Sequence, residues 1–280
     1  MFREFSRYVA IGDSVTEGMN DGDDLTGYVG WADRLAAHLA RRNPDLEYAN
    51  LALRGLRTHE IRSTQLDRAL ALKPDLMSVV SGVNDLLHGS DNAPIVAQIE
   101  EMFLAARSTG ATVFTMTAPD FSRNVPLARL IRTRSLDFNR RVVEAAERQG
   151  VIVIDTNVPV VVDDPRVWSA DRLHASTFGH TVVSALVAAG LGVPMDSVDL
   201  SAPLPSRPVF ALHQRIALET RWAAAFAGPW LHRRLTGKST GDGRVAKHAE
   251  LVRVALLEQL DRKLGLDPLD GPDTLLACGE

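Results

Sequence analysis

The residues with the clearest capacity for chemistry are a serine near the start of the chain and an aspartate with a histidine far downstream. Ser14 follows Gly12 and Asp13, and Asp171 precedes His174 by three positions. A carboxylate at this spacing can accept a hydrogen bond from imidazole Nδ1, which turns Nε2 towards a serine hydroxyl that is a weak nucleophile without a base. The pattern predicts covalent catalysis, with Ser14 as nucleophile, His174 as general base and Asp171 as its orienting carboxylate.

Two further segments supply groups that stabilise negative charge. Gly55 ends the run Asn-Leu-Ala-Leu-Arg-Gly, and Asn84 lies in Gly-Val-Asn-Asp. Together with the backbone N–H of Ser14, the Gly55 N–H and the Asn84 amide can form an oxyanion hole. Each segment alone also has a structural interpretation: Ser14 as a helix cap or phosphate-binding turn, Gly55 as a turn glycine, and Asn84 as a helix cap. Their occurrence together favours a catalytic site.

A sheet is needed to position these residues. Five runs rich in Val, Ile and Leu predict strands, at Tyr8–Asp13, Tyr48–Leu53, Leu76–Ser81, Thr112–Thr117 and Val151–Asp155. Helical patterns lie between and after them, at Trp31–Leu39, Ile61–Leu70, Ile95–Arg107, Leu127–Gln149 and Thr177–Ala189. This alternation predicts a parallel sheet covered by helices on both faces. Because the carboxyl ends of parallel strands meet at one edge, we expect Ser14, Gly55 and Asn84 to lie close together there.

The four sequence blocks resemble the SGNH, or GDSL-like, hydrolase family, and they occur in that family's order between Tyr8 and about Gly190. The resemblance implies an α/β protein with a three-layer α/β/α, flavodoxin-like fold and a central parallel sheet of about five strands. It also implies a serine esterase or lipase-type hydrolase whose catalytic residues are Ser14, Asp171 and His174, with the oxyanion donors named above.

The same resemblance implies a small-molecule ester substrate. The family includes carboxylesterases, lysophospholipases, thioesterases and carbohydrate acetylesterases, and the resemblance does not choose among them. We expect this chain to cleave carboxylic esters with short acyl or acetyl groups. No cofactor and no metal are expected, because backbone and amide donors do the work of a Lewis acid. Ala175 follows the histidine where the family pattern often has proline, and we expect a looser loop there.

The chain changes character near Leu200. Prolines crowd the segment that follows the last strand pattern, at Pro194, Pro203, Pro205 and Pro208. We therefore expect a catalytic domain at 1–200 and a helical C-terminal extension at 201–280, with no further strand and no part in the chemistry. An apolar stripe in the extension predicts a docking face. This face is expected to pack on the catalytic domain or, in a homo-oligomer, on a second subunit. The stripe comprises Val209, Leu212, Ile216, Trp222 and Phe226.

Composition excludes several other classes. The 280 residues include 35 acidic and 31 basic side chains, so no basic field attracts nucleic acid or anionic membrane. The longest apolar run, from Thr181 to Met195, is too short to cross a bilayer. Cys278 is the only cysteine, which leaves no disulfide framework. With an N-terminus that shows no signal-peptide pattern, these features predict a cytoplasmic protein.

Two other functional classes are compatible with parts of the pattern. A flavodoxin-like module could hold a phosphate or nucleotide at the turn after the first strand, without hydrolase activity. Such a module has no use for Asn84 or for the Asp-x-x-His block. A catalytically inactive scaffold could act through the C-terminal helices, although the presence of all five expected catalytic-site residues argues against it.

Overall fold

The fold is organised around a central β-sheet, in a computed structural model that describes residues 4–25, 27–158, 162–194, 211–229, 232 and 240–254. The strands are β1 (Arg7–Gly12), β2 (Gly22–Asp23), β3 (Gly27–Tyr28), β4 (Glu47–Asn50), β5 (Leu76–Val80), β6 (Thr112–Met116), β7 (Ile152–Ile154) and β8 (His248–Arg253). The α-helices are α1 (Ser14–Glu17), α2 (Trp31–Ala40), α3 (Thr58–Ala71), α4 (Val83–His88), α5 (Asn92–Ser108), α6 (Arg132–Gln149), α7 (Thr177–Gly190) and α8 (Leu212–Trp222).

The strand order of the main sheet is β7-β6-β5-β1-β4-β8. All pairs among the first five of these strands are parallel, so the predicted parallel sheet of five strands is confirmed. The chain passes from β1 to one neighbour, β4, and then crosses to the other neighbour, β5. A ligand crevice is expected beyond such a reversal of strand order. Ser14 and Asn84 follow the two strands that meet at this point.

Helices cover both faces of the sheet because β1 residues alternate between two apolar clusters. Tyr8 packs in a cluster with residues of α2 and α7, and its ring stacks on Tyr48 with centroids 5.2 Å apart. Val9 packs in a second cluster with residues of α3, α5 and α6. Full burial of one such side chain contributes about 1.5–3 kcal/mol. The three-layer α/β/α architecture is therefore confirmed.

The predicted helices are present with adjusted ends. Ser176 caps α7, where its side chain accepts a hydrogen bond from the Gly179 N–H at 3.0 Å. The long helix predicted over Leu127–Gln149 is divided, since a 3-10 helix at Pro126–Ile131 precedes α6. Among the described residues, no helix is long and apolar enough to cross a membrane.

The expectation that no strand follows Leu200 is wrong. β8 pairs antiparallel with β4, with Tyr48 opposite Val252 and Glu47 opposite Arg253. The C-terminal extension is therefore not purely helical, and it contributes the edge strand of the sheet. The residues of β8 show neither an apolar run nor regular alternation, so the strand has no clear signal in the sequence. An edge strand does not need such a pattern, because backbone pairing with a single neighbour can hold it. A functional boundary near residue 200 stays a prediction.

Helix α8 contacts the segment before α7 through one acidic and one aromatic side chain. Arg172 pairs with Glu219 at 2.8 Å, and its guanidinium lies 4.8 Å from the centre of the Trp222 ring. Leu212 and Ile216 from the predicted apolar stripe are 71% and 58% exposed in the single chain. Val209 lies outside the described residues. Association of subunits through this stripe stays a prediction.

Lys247, just before β8, connects three segments around the first helix. Its Nζ donates to the Glu17 carbonyl at 2.6 Å, to the Tyr28 carbonyl at 3.0 Å and to Asp33 Oδ2 at 2.6 Å. These acceptors lie at the end of α1, in β3 and in the first turn of α2. A residue of the C-terminal extension thus supports the backbone next to Ser14.

We expect Lys247→Met to lower the free energy of unfolding by about 1.5–3 kcal/mol, because the largely buried Asp33 carboxylate loses its cation and two carbonyls lose the lysine donor. Arg244→Met is the matched control, since Arg244 pairs with the exposed Asp24 at 2.7 Å. Exposed pairs contribute little to stability. Urea denaturation of both variants measures the difference, and equal effects would show that Lys247 is only a surface contact.

Candidate active site

Ser14 stands at the junction between β1 and α1. Asp13 caps α1, and its carboxylate accepts a hydrogen bond from the Val15 N–H at 3.1 Å. As the first residue of the helix, Ser14 carries an N–H that has no acceptor within the helix. Gln65 holds the preceding turn, because its amide bonds to both the N–H and the carbonyl of Gly12, at 2.8 and 2.9 Å. The serine is therefore held at the carboxyl edge of the sheet.

The structure brings Ser14, His174 and Asp171 into one hydrogen-bonded line. His174 Nε2 lies 2.8 Å from Ser14 Oγ, and His174 Nδ1 lies 2.7 Å from Asp171 Oδ2. A carboxylate oxygen only accepts, so Nδ1 carries the proton of the neutral ring. Nε2 is then the acceptor for the serine hydroxyl, which is the orientation that a general base requires.

Asp171 is held as a carboxylate. Burial works to raise its pKa, but the hydrogen bond and charge of His174, with the N–H groups of His174 and Leu173, outweigh burial and lower the pKa well below its usual range. Those two N–H groups donate to Asp171 Oδ1, each at 2.9 Å. Asp171 therefore carries a negative charge at neutral pH.

The loop that carries Asp171 and His174 is closed by backbone pairing. Trp168 and Ala175 form an isolated antiparallel bridge, flanked by the bond from the Ser169 N–H to the His174 carbonyl at 3.0 Å. The bridge joins the two ends of the loop, and the looser loop expected from Ala175 stays a prediction. Arg172 adopts a positive φ of 60° in this turn, which costs a non-glycine residue about 1–2 kcal/mol.

Of the other two predicted oxyanion residues, Gly55 lies in the turn after β4 and Asn84 in the first turn of α4. Gly55 has a φ of 80°, a left-handed conformation that favours glycine. Asn84 Nδ2 donates to the Leu56 carbonyl at 2.9 Å and to Asp13 Oδ2 at 3.3 Å. These bonds connect the Asn84 amide to the residue after Gly55 and to the residue before Ser14.

An ion pair that the sequence did not reveal joins the end of α1 to the loop after β4. The Glu17 carboxylate accepts from the Arg54 backbone N–H at 2.7 Å and from its guanidinium at 2.6 Å. Both side chains are more than nine-tenths buried. Arg54 immediately precedes Gly55, so Glu17 determines where the loop after β4 begins its turn. The sequence offered one signal for this pair: Glu17 and Arg54 carry opposite charges and lie in two sequence blocks that were both expected at the carboxyl edge of the sheet.

Asn20 and Ser169 also contact the site, and the sequence assigned neither a role. Asn20 Nδ2 donates to Asp171 Oδ2 at 2.8 Å, and Ser169 Oγ donates to Asp171 Oδ1 at 2.8 Å. Asn20 is separated from Asp171 by 151 positions, and no motif connects them. Within the described ranges, no group of three or more His, Cys, Asp or Glu side chains could hold a metal ion.

This fold and site agree with the result of a family comparison. Residues 10–182 match the model of the GDSL-like lipase/acylhydrolase family, which is more than half of the chain. The chain belongs to this family and is a hydrolase that acts on ester bonds. No protein of curated function shows significant sequence similarity to the chain.

Solved structures of esterases share the architecture. Axe2, an acetyl xylan esterase from Geobacillus stearothermophilus, superposes with a TM-score of 0.55 at 18% identity, over 72% of this chain and 97% of that one. LAE5, an alpha/beta hydrolase enzyme from the metagenome of Lake Arreo, Spain, gives 0.54 at 24% identity, over 67% and 95%. Solved catalytic mutants of Axe2 include replacements of a serine, an aspartate and a histidine by alanine.

Asp13 gives the site a measurable cost in stability. Burial raises its pKa from 3.8 to about 6, although the Val15 N–H and the charge of His174 oppose the shift. The folded state therefore binds the Asp13 proton more tightly than the unfolded state does, and stability falls as pH rises through this range. The loss reaches a plateau on the order of 3 kcal/mol above pH ~6.

We expect Asp13→Asn, which can still cap α1, to be more stable than the wild type by a margin that grows from pH 4 to pH 6 and then stays constant. Thermal denaturation between pH 4 and 8 measures this margin. Asp67→Asn, at an exposed position of α3, is the control and is expected to show little such growth. A margin for Asp13→Asn that does not change with pH would contradict the assignment of a buried, costly charge.

Proposed function

We propose that the protein is a serine esterase in which Ser14 forms an acyl-enzyme, His174 is the general base and Asp171 orients the imidazole. One observation carries the proposal: the continuous line of hydrogen bonds from Asp171 through His174 to Ser14, at 2.7 and 2.8 Å. Membership of the GDSL-like family supports ester cleavage as the reaction.

In the first half of the reaction, His174 Nε2 takes the proton of the Ser14 hydroxyl as Oγ attacks the ester carbonyl carbon. The imidazolium that forms is stabilised by the Asp171 carboxylate. The tetrahedral intermediate then collapses, the bond to the alcohol oxygen breaks, and His174 donates its proton to the departing alcohol. In the second half, His174 removes a proton from water as the water oxygen attacks the acyl carbon. The bond to Ser14 Oγ then breaks, His174 returns the proton to Oγ, and the acid leaves.

The negative charge on the former carbonyl oxygen requires donors that are already in position. We assign this role to the N–H groups of Ser14 and Gly55 and to the side-chain amide of Asn84. The bonds from Asn84 to the Leu56 carbonyl and to Asp13 support the assignment, because they hold the amide beside the residues that flank Gly55 and Ser14. Donors that are held before the reaction need no reorganisation when charge develops.

The proposed substrates are small-molecule carboxylic esters with acetyl or other short acyl groups. The similarity in fold to Axe2, an acetyl xylan esterase, makes acetylated sugars a reasonable first set to test. The alternative, a flavodoxin-like module that binds a phosphate or nucleotide, shares the strand order of the parallel sheet. It offers no reason for the Asp171–His174 pair, and the family comparison does not favour it.

We also propose that the chemistry resides within residues 1–200, since every residue assigned a catalytic role precedes that point. The extension would then act on stability and assembly, through β8, Lys247 and the exposed side chains of α8. Among these, Lys247 contacts the helix that begins with Ser14 directly, because it bonds to the carbonyl that ends α1.

We expect a fluorophosphonate probe to label the folded protein covalently at Ser14, because only an activated serine attacks it rapidly. The protein should hydrolyse p-nitrophenyl acetate faster than esters of long acyl chains. Ser14→Ala should lose nearly all turnover and labelling while its melting temperature stays close to that of the wild type. Mass spectrometry of the labelled peptide and a chain-length series of p-nitrophenyl esters and acetylated sugars provide the measurements.

Ser176→Ala is a suitable control for the labelling, because Ser176 is also a serine at a helix start, but its hydroxyl caps α7 and donates to the Arg166 carbonyl. Its labelling at Ser14 should persist. Labelling at another serine, or turnover retained by Ser14→Ala, would reject Ser14 as the nucleophile.

We expect Asn84→Ala to lower kcat by roughly 100- to 1,000-fold with a smaller change in KM, because an oxyanion donor acts mainly in the transition state. Steady-state kinetics on the best ester substrate measure the two constants separately.

Asn92→Ala is the matched control for Asn84→Ala. The Asn92 amide donates to the Arg134 carbonyl and to Asp137 Oδ2, each at 2.9 Å, and joins α5 to α6. It should reduce stability without a comparable loss of kcat. If the Asn84 variant keeps its kcat, Asn84 does not belong to the oxyanion hole.

A further inference from the structure

Asn20 forms a bridge across the carboxylate of Asp171. Its Nδ2 donates to Asp171 Oδ2 and to Ser169 Oγ, each at 2.8 Å, while Ser169 Oγ donates to Asp171 Oδ1 at 2.8 Å. Both hydrogens of the amide are therefore used. The acceptor Oδ2 is the same oxygen that bonds to His174 Nδ1. The amide orientation is determined chemically, because a carboxylate cannot donate to an amide oxygen.

The backbone at Asn20 is held in an unusual conformation. Its φ is 72°, in the left-handed region that asparagine tolerates better than most residues. The residues on either side are tied to the nucleophile helix, since the Met19 N–H donates to the Ser14 carbonyl and the Asp21 N–H donates to the Gly18 carbonyl, each at 3.1 Å. The Asn20 side chain is thus presented from the segment that carries Ser14.

Two buried contacts anchor this segment from outside. Asp21 pairs with Arg34 of α2 at 2.7 Å, and both side chains are more than nine-tenths buried. His180 of α7 is fully enclosed, with Nδ1 3.2 Å from the Trp31 N–H nitrogen and Nε2 3.3 Å from the Met19 carbonyl. Burial lowers the pKa of His180 to about 4, so the ring is neutral and can accept at Nδ1 and donate at Nε2.

We infer that Asn20 is a positioning residue for the proposed reaction: its amide fixes the rotation of the Asp171 carboxylate, and so the imidazole, relative to Ser14. The inference rests on the proposed roles of Ser14, His174 and Asp171. It follows from the placement of both ends of the bridge, because Asn20 is tied to the helix of the nucleophile and bonds to the loop of the base. A neutral donor restrains Asp171 without cancelling the charge that stabilises the imidazolium.

The first test removes the amide and leaves the backbone unstrained. Asn20→Gly accepts a positive φ, so only the bonds to Asp171 and Ser169 are lost. We expect kcat to fall roughly 10- to 100-fold with little change in KM, because misplacement of the base by a fraction of an ångström slows proton transfer. Lys73→Gly is the control, since Lys73 also has a positive φ, 53°, in the turn before β5, and it should keep full activity.

The second test keeps the shape of the side chain and changes its charge. Asn20→Asp puts a second carboxylate beside Asp171, where it repels that residue and stabilises the imidazolium. We expect a larger loss of kcat than in Asn20→Gly and an acidic limb of the kcat/KM profile that moves to higher pH by about one unit. The other carboxylate that acts on His174, Asp13, is unchanged in this variant. A role limited to loop stability would lower the melting temperature of both Asn20 variants but leave kcat of the folded enzyme unchanged.

Ser14→Ala is measured in parallel, so that failure of the proposed function can be distinguished from failure of the role assigned to Asn20. Turnover retained by Ser14→Ala rejects the proposed function, whatever the Asn20 variants do. An inactive Ser14→Ala together with wild-type kcat and pH profile in Asn20→Gly overturns the inference about Asn20 alone. If Asn20→Gly does not fold, Asn20→Asp decides, and a wild-type kcat in that variant also overturns the inference.

Discussion

The central strand β1 is the constraint on which the site depends. It is buried on both faces and pairs in parallel with β4 on one side and β5 on the other, with Tyr8 opposite both Tyr48 and Leu76. Ser14 follows β1 directly, and the Gln65 amide holds both backbone groups of Gly12. The proposed nucleophile therefore cannot move without disturbing the sheet pairing and the apolar cores on both faces. General-base chemistry needs such a fixed position, because Ser14 Oγ must stay within hydrogen-bond distance of His174 Nε2, here 2.8 Å.

Polar contacts then connect the loops that the strands deliver to this edge. The Glu17–Arg54 pair, the Asn84 bond to the Leu56 carbonyl and the Asn20 bond to Asp171 join segments that are far apart in sequence. Burying these charges and amides carries a desolvation cost that an apolar substitute would avoid. The raised pKa of Asp13 is one sign of that cost. In return, these hydrogen bonds fix the relative positions of the segments, because a hydrogen bond has a preferred direction and apolar packing does not.

The C-terminal part of the chain contributes to this rigidity more than its composition suggests. β8 covers the edge of β4, and Lys247 bonds to the carbonyl that ends α1. Helix α8 contacts Arg172, which lies in sequence between Asp171, the proposed orienting carboxylate, and His174, the proposed base. Arg172 has a strained backbone conformation, and its contacts with Glu219 and Trp222 help to hold it. The extension is thus connected to both the nucleophile segment and the base loop, although no residue in it is assigned a chemical role.

The sequence by itself was enough to predict the five parallel strands, the covering helices and the candidates Ser14, Gly55, Asn84, Asp171 and His174, because β-rich runs, turn residues and short motifs are local patterns. It did not reveal β8, Lys247, Glu17–Arg54 or Asn20 in their observed contacts. Those depend on pairing between residues separated by up to 230 positions, and such pairing leaves no periodicity or spacing in the chain. An edge strand needs only a neighbour's backbone, and a bridging amide needs only a carboxylate within reach. Only the tertiary structure decides which groups meet, because folding brings them together through contacts that no local pattern encodes.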